Sequence, residues 1–151
     1  MRIKPSSLIK GLLASLLLLS FVSALHAADD TRFTLKDGVI EDSVLGLQWV
    51  PSPDQEMTHY EAQKYVQNLS RAGGGWRLPT RAELRSLFDA SKPGLADPKF
   101  NVSGMLIWSS EVDTDPSFAW YFNFYEGGEY KYTRRPCCNF YLHGLAVRSR
   151  L

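Results

Sequence analysis

The chain has 151 residues, with 17 lysines and arginines against 16 aspartates and glutamates, so its net charge is close to zero. This balance argues against the strongly basic surface by which proteins bind nucleic acid or anionic membranes. The length suits one ordinary globular domain with its own hydrophobic core.

The N-terminus has the layout of a secretory signal peptide. Basic residues precede an apolar, uncharged run over residues 11–22, and small residues follow at Ala24 and Ala27. An uncleaved membrane anchor is the alternative, but a span needs about 20 apolar residues. We predict cleavage after Ala27, with Ala24 as the alternative site. The expected organisation is a signal peptide at 1–27, no membrane span after its removal, and one periplasmic or secreted domain at 28–151.

Short antiparallel strands are predicted for residues 33–50. Apolar pieces are separated there by Asp37 and Gly38, a pair typical of a tight hairpin turn. Further on, Leu47 and Trp49 alternate with polar residues, which indicates a strand with one buried face. We expect two or three strands in this region.

A first helix is predicted at about 59–71. Thr58 and Glu61 have the spacing of a capping box, in which each side chain accepts a hydrogen bond from the other residue's backbone N–H. Three glycines at 73–75 end the helical pattern. His59 lies in the first turn, and we expect it to be exposed to solvent.

A second helix, at about 81–90, is predicted after a short buried strand that Pro79 ends. Thr80 and Glu83 form a second capping box. Arg77 should point away from the core, to a carboxylate or to backbone carbonyls. We assign structural roles to seven residues of the chain: Trp76, Arg77, Pro79, Thr80, Glu83, Trp108 and Trp120.

The C-terminal half predicts four more strands, at 107–111, 118–125, 130–133 and 145–150, with a hairpin turn at Gly127 and Gly128. In the second of these strands one face carries large aromatic residues and is expected to be core. They are Phe118, Trp120, Phe122 and Phe124. Leu145 and Val147 should lie on the inner face of the last strand.

Charge segregates along the same region. Residues 111–130 hold five acidic residues and no basic residue, whereas residues 131–151 hold five basic residues and no acidic one. Cross-strand ion pairing at the surface of a sheet is one interpretation. A basic patch for an anionic ligand is the other.

Two adjacent cysteines, Cys137 and Cys138, are the only ones in the sequence. We expect a structural vicinal disulfide or inert thiols; intermolecular bonding and a metal or redox role are the alternatives. His143, which we place in a loop, gives only weak metal-ligand spacing with them. We find no hydrolase, metalloprotease or phosphate-loop motif, so we expect no catalytic residue, no metal ion and no cofactor.

Ligand binding is predicted for the segment from Tyr130 to Leu142. Aromatic rings stack on sugars and dominate binding hot spots, and arginine forks bind sulfate or carboxylate through two hydrogen bonds. The alternative is a packed loop whose aromatic residues serve the core. The candidate ligand-binding residues are Tyr130, Tyr132, Arg134, Arg135, Asn139 and Tyr141.

Several motifs in this order resemble the Lcl C-terminal domain family of secreted bacterial proteins. They are Asp42 followed by Gly46-Leu47-Gln48-Trp49, Glu61-Ala62, Trp76-Arg77-Leu78-Pro79-Thr80 with Glu83-Leu84, Trp108-Ser109-Ser110, Ala119-Trp120 and Ala146-Val147-Arg148. The Arg-Leu-Pro-Thr segment is also similar to one in formylglycine-generating enzymes. The resemblance implies an α+β, C-type-lectin-like fold, with two short helices flanking an irregular antiparallel sheet.

The same resemblance implies an exported, non-enzymatic module, of the kind that an adhesin uses to recognise sulfated polysaccharide. We therefore expect a glycan, sulfated or otherwise anionic, or an envelope protein as the partner, and no nucleic acid. The Glu-Pro-Asn and Trp-Asn-Asp triplets of calcium-dependent lectins are absent from the sequence. The alternatives are a structural part of a surface or pilus-like assembly and, less favoured, an oxidase related to formylglycine-generating enzymes.

Overall fold

A computed structural model of the protein describes residues 32–51, 53, 55–91, 97–100, 106–135 and 141–150. The strands in this part are β1 Phe33–Lys36, β2 Val39–Asp42, β3 Leu47–Val50, β4 Leu106–Val112, β5 Phe118–Asn123, β6 Gly128–Thr133, β7 Leu142–His143 and β8 Ala146–Ser149. The helices are α1 His59–Asn68 and α2 Arg81–Ser86, with 3-10 turns at Arg71–Gly73 and Pro98–Phe100. No helix among these residues is long and apolar enough to cross a bilayer.

The strands form two sheets, whereas we expected one. The first has the order β1-β2-β3-β8, with antiparallel neighbours throughout. Its first hairpin turns at Asp37 and Gly38, whose φ angles of 51° and 74° are those of a tight two-residue turn. The last strand pairs with β3, so the two ends of the domain meet in this sheet.

The second sheet has the order β6-β5-β4-β7. Its neighbours are antiparallel except β4 and β7, which run parallel. The predicted α+β class with mainly antiparallel strands is confirmed, and the two-sheet arrangement corrects the predicted single sheet.

Both capping boxes are present. Thr58 Oγ1 accepts from Glu61 N–H at 3.2 Å and Glu61 Oε2 accepts from Thr58 N–H at 2.7 Å. Thr80 and Glu83 repeat the arrangement at 3.2 and 2.8 Å. Both helices are nevertheless shorter than predicted. α1 ends at Asn68 because Leu69 adopts an extended conformation.

The early end of α2 has a packing cause. Leu87 caps the helix, and Phe88 leaves it to pack on the core and over Gly127. A Cβ built on Gly127 would lie 2.5 Å from the Phe88 ring, and the φ of this glycine is +68°. Two features of this turn thus require glycine.

The aromatic pattern of β5 is only partly as predicted. Phe122 and Phe124 are fully buried, but Phe118 is 39% exposed and Trp120 is half-buried. The buried residue near the start of the strand is Ala119, on the opposite face. Alternation alone does not predict which residues of β5 are buried, because both faces of this sheet pack against other elements. This packing does not extend to Phe118.

Two hydrophobic clusters pack on the two faces of the second sheet. One joins the first sheet to α2 and to one face of the second sheet, and its members include Trp49, Leu84, Phe100, Phe122 and Val147. The other places α1 against the opposite face, and its members include Met57, Ala62, Trp76, Trp108 and Ala119.

The segment from Trp76 to Thr80 lies between the two sheets. Arg77 and Val147 of β8 exchange backbone hydrogen bonds of 3.0 and 2.9 Å. The Pro79 carbonyl accepts from Ser110 N–H of β4 at 2.7 Å. Trp76 and Leu78 are buried, as predicted from their alternation.

Arg77 points out of this segment to a carboxylate, as expected. Its guanidinium donates to both Glu83 oxygens, at 2.6 and 2.8 Å. Burial acts to raise the pKa of Glu83, but hydrogen bonds from Arg77 and Thr80 outweigh it and lower the pKa overall. One carboxylate therefore caps α2 and fixes Arg77.

We expect Glu83→Gln to reduce the free energy of unfolding by about 1–2 kcal/mol, since it loses the two-pronged ion pair and weakens the cap. Chemical denaturation of the two proteins measures the difference. Glu56→Gln, at an exposed glutamate, is the matched control and should leave the midpoint in place. Equal losses in both variants would contradict the structural role of Glu83.

Candidate functional site

Aromatic rings form a row across three strands of the second sheet. Trp108, Tyr121 and Tyr130 are cross-strand neighbours. The ring centroids of Trp108 and Tyr121 are 6.2 Å apart, and those of Tyr121 and Tyr130 are 5.8 Å apart. Exposure rises along the row from 0% at Trp108 to 42% at Tyr130. The row thus runs from the core to the solvent at the edge of the sheet.

Tyr132 joins the same surface because residues two apart on a strand share a face. It is opposite Ala119 and half-buried. We call the surface made by Tyr121, Tyr130 and Tyr132 the tyrosine face. Gly128 leaves room for the Tyr130 ring, since a Cβ at position 128 would lie 2.9 Å from that ring.

Hydrogen bonding and burial keep Tyr130 and Tyr121 neutral. The Tyr130 hydroxyl donates to Glu126 Oε2 at 2.7 Å, and this bond raises the pKa of Tyr130. Burial raises the pKa of Tyr121. Both phenols therefore stay protonated at physiological pH, and they offer ring faces and hydroxyl groups to a ligand.

Arg134, a predicted ligand-binding residue, is held by the framework. Its Nε–H donates to His59 Nδ1 at 3.2 Å and its Nη1 donates to the Pro116 carbonyl at 3.1 Å. Its guanidinium carbon also lies 4.3 Å from the centroid of the Tyr60 ring. These contacts tie the end of β6 to the N-terminus of α1.

His59 is fully buried, which corrects the expectation of an exposed first-turn residue. Its Nε2 lies 3.0 Å from the Ser109 carbonyl, and its ring meets Trp108 edge-on at 5.2 Å. A carbonyl can only accept, and Arg134 Nε can only donate. His59 must therefore be neutral, with its hydrogen on Nε2.

The other predicted ligand-binding residues are dispersed. Arg135 is exposed at the end of β6. Tyr141 is 68% exposed but precedes β7, at the opposite edge of the sheet. Two strands separate these edges, so the edge strands are about 14 Å apart. Asn139, Cys137 and Cys138 lie outside the described residues.

Ion pairs account for much of the segregated charge. Lys131 pairs with Asp113 at 2.7 Å. Glu111 and Glu129 pair instead with Arg81 and Arg85 of α2, each at 2.6 Å. The basic run therefore supplies only part of the pairing: Asp113 follows β4, which is not a neighbour of β6, and α2 supplies the positive charge for Glu111 and Glu129.

Trp120, which we assigned a structural role, lies within this charged network. The Arg81 guanidinium is 4.3 Å and the Lys131 ammonium 5.1 Å from the centroid of its ring. Cations at such distances are attracted to the electron-rich face of an indole. Trp120 thus connects β5 to α2 and β6 at the surface.

Basic residues in and just after β8 also serve the framework. Arg148 is buried, donates to Gln48 Oε1 at 2.9 Å and lies 4.4 Å from the centroid of the Trp76 ring. Arg150 pairs with Glu41 at 3.2 Å. Neither belongs to a free basic patch.

His143, expected in a loop, is buried in β7. In the part of the chain that the structure describes, no three histidine, cysteine, aspartate or glutamate side chains are grouped as metal ligands. Sequence patterns pointed to Tyr130 and Tyr132 but missed Tyr121. The antiparallel register around the hairpin at Gly127 was the signal that could have paired Tyr121 with Tyr130.

The Lcl C-terminal domain model matches residues 38–148, which is most of the sequence. The match begins at the first hairpin turn and ends in β8, so it leaves out β1 but includes the second sheet, both helices and the tyrosine face. No curated protein matches the sequence.

We expect the stability of the domain to fall as the pH drops below 6.5, because burial and, to a smaller extent, the Arg134 charge lower the pKa of His59 to about 4 against the opposing hydrogen bond to the Ser109 carbonyl. The unfolded chain binds a proton at His59 near pH 6.5 and the folded one does not, so stability is complete above 6.5 and lost on acidification. The loss attributable to His59 is on the order of 3 kcal/mol by pH 4.

Denaturation midpoints of the wild type and of His59→Gln, measured between pH 7 and 4, isolate this contribution, because carboxylates titrate equally in both proteins. The variant should be less stable at pH 7 and lose less stability on acidification. Parallel pH profiles would contradict the assignment of a neutral, buried His59.

Proposed function

This chain belongs to the Lcl C-terminal domain family, and from that membership we propose that it is an exported, non-enzymatic module that binds glycans through the tyrosine face. We also propose that its fold is C-type-lectin-like. The pairing of β8 with β3 in the sheet that begins with β1 supports this, since the two ends of such domains come together.

The observation that carries the proposal is the exposed end of the aromatic row. The Tyr130 ring lies at the solvent-exposed edge of the sheet. It contacts the Tyr121 ring, and its hydroxyl donates a hydrogen bond to Glu126. A ring fixed before binding loses little conformational entropy when a ligand stacks on it. Tyrosine is accordingly enriched among residues that dominate binding energy.

Sugars suit this surface. The C–H groups of a pyranose ring can pack on the Tyr130 ring, and its hydroxyls can donate to the Glu126 carboxylate or exchange hydrogen bonds with Tyr132. Arg135, exposed where β6 ends, supplies positive charge for a sulfate or carboxylate on the glycan. Arg134 contributes indirectly, by fixing the strand end against α1.

A second function, in a surface or pilus-like assembly with an envelope protein as partner, is favoured by the position of β6. Within the described residues β6 pairs only with β5, which leaves its outer edge available for hydrogen bonds. A strand of a partner protein could add to such an edge. Co-purification from the cell envelope tests this alternative.

Tyr130→Ala should weaken binding to a sulfated polysaccharide about tenfold or more, since it removes the exposed ring. Tyr130→Phe keeps the ring and should lose much less. Titration calorimetry of the purified mature domain measures both. Tyr141→Ala, at the far edge of the sheet, is the matched control and should bind like the wild type.

The charge contribution is tested separately by Arg135→Ala. This variant should bind more weakly and with a smaller dependence on salt, because one ionic contact is lost. Desulfated polysaccharide should still bind the wild type through stacking. The proposed surface is wrong if Tyr130→Ala and Arg135→Ala both bind like the wild type.

A further inference from the structure

A groove of about 430 Å³ lies along α1, beside the segment that precedes it. The helix presents four residues to it at the spacing i, i+3, i+4 and i+7, which form one stripe on a helix surface. They are Glu61, Lys64, Tyr65 and Asn68. The buried residues Ala62 and Val66 face the core, so this stripe is a separate face of α1.

The rest of the groove combines apolar and amide groups. Met57, which is almost fully buried, and Leu69, which packs on the core, add apolar surface. Gln55 adds an amide from the segment before the helix. With Asn68 on the helix, the groove therefore has two amide side chains and an apolar base.

Tyr65 contributes an oriented ring. Its hydroxyl donates to the Pro51 carbonyl at 3.4 Å, and its side chain packs against the core. Burial raises the pKa of Tyr65, which Arg71 only partly offsets, so the phenol stays neutral. The ring is thus tethered at its hydroxyl end, like that of Tyr130.

The two charges of the groove have opposite signs. Glu61 is ionised, since hydrogen bonds from the backbone and side chain of Thr58 lower its pKa, and Lys64 lies one turn further on the same helix. A groove with balanced charge does not favour a polyanion. It offers both an acceptor and a donor to the hydroxyl groups of an uncharged ligand.

We propose that this groove binds an N-acetylated hexosamine unit of a glycan. The acetamido group needs an apolar contact for its methyl and amide partners for its N–H and C=O, which Met57, Gln55 and Asn68 supply. The sugar ring packs on Tyr65, and its hydroxyls bond to Glu61 and Lys64. A volume near 430 Å³ suits one or two sugar rings.

This site is distinct from the tyrosine face and does not rest on it. Tyr60 and Gln63, on another flank of α1, face Arg134. Residues 61, 65 and 68 are rotated around the helix away from that flank, and Lys64, four residues after Tyr60, lies at the border between the two. The two surfaces can therefore be tested independently.

The experiment is a titration of the purified mature domain with N-acetylglucosamine and with its β-1,4-linked dimer, followed by NMR chemical shifts. We expect saturable shifts at Gln55, Tyr65 and Asn68, with the dimer binding at least as tightly as the monomer. Glucose, which lacks the acetamido group, should bind at least fivefold more weakly.

Asn68→Ala should weaken binding of the dimer at least fivefold, whereas Gln67→Ala, at the neighbouring exposed position, should not change it. Both residues are exposed on α1, so both variants should fold. Tyr130→Ala should leave this binding unchanged, which separates it from the tyrosine face.

The proposal is overturned by no saturable binding of either acetylated sugar, by equal binding of glucose, or by an Asn68→Ala variant that binds like the wild type. Shifts centred on Tyr121 and Tyr130 would place the acetylated sugar on the tyrosine face and would equally refute the groove.

Discussion

Three backbone hydrogen bonds on a five-residue segment link the two sheets of this domain, which also share two hydrophobic clusters. Arg77 exchanges two with Val147 in the first sheet, and Pro79 accepts one from Ser110 in the second. A proline cannot donate, so its carbonyl is its only ladder contact, and the segment ends there. Trp76 and Leu78 fill the space behind these bonds, and the Arg77–Glu83 pair fixes the start of α2.

The binding surfaces depend on this arrangement indirectly. Ser110 belongs to β4, whose register sets Trp108 against Tyr121, and hence Tyr121 against Tyr130. Trp108 also donates to the Met57 carbonyl at 2.8 Å, which fixes the segment that leads into α1. The same strand thus positions both the tyrosine face and the helix with its groove, which pack on the same face of the sheet.

Local features of the fold could be predicted from sequence. The turn at Asp37 and Gly38 and the caps at Thr58 and Thr80 each depend on residues within three positions of one another. The buried Trp76 followed from alternation next to a proline. The shared face of Tyr130 and Tyr132 on β6 was also predictable, because a hairpin glycine precedes a strand in which tyrosines alternate with other residues.

Features that depend on distant residues were missed. His59 looked like an exposed first-turn residue, but its partners Ser109 and Arg134 are 50 and 75 positions away. The same contacts hold Arg134, a candidate ligand-binding residue, within the framework. Phe118 and Trp120 departed from the predicted core face because the cover over each face of the sheet comes from elsewhere in the chain. The groove had no signal in sequence, since its walls become neighbours only when Gln55 and Met57 fold against α1.

The central claim is that the segment from Trp76 to Glu83 is scaffold and that a glycan meets the protein on β5 and β6. Chemical-shift mapping of the labelled mature domain during titration with a sulfated polysaccharide tests it most directly. The account predicts shifts concentrated at Tyr121, Tyr130, Tyr132 and Arg135, with the amides of Arg77 and Val147 unmoved. Shifts centred on Trp76, Arg77 and Glu83, without shifts at the tyrosine face, would contradict it.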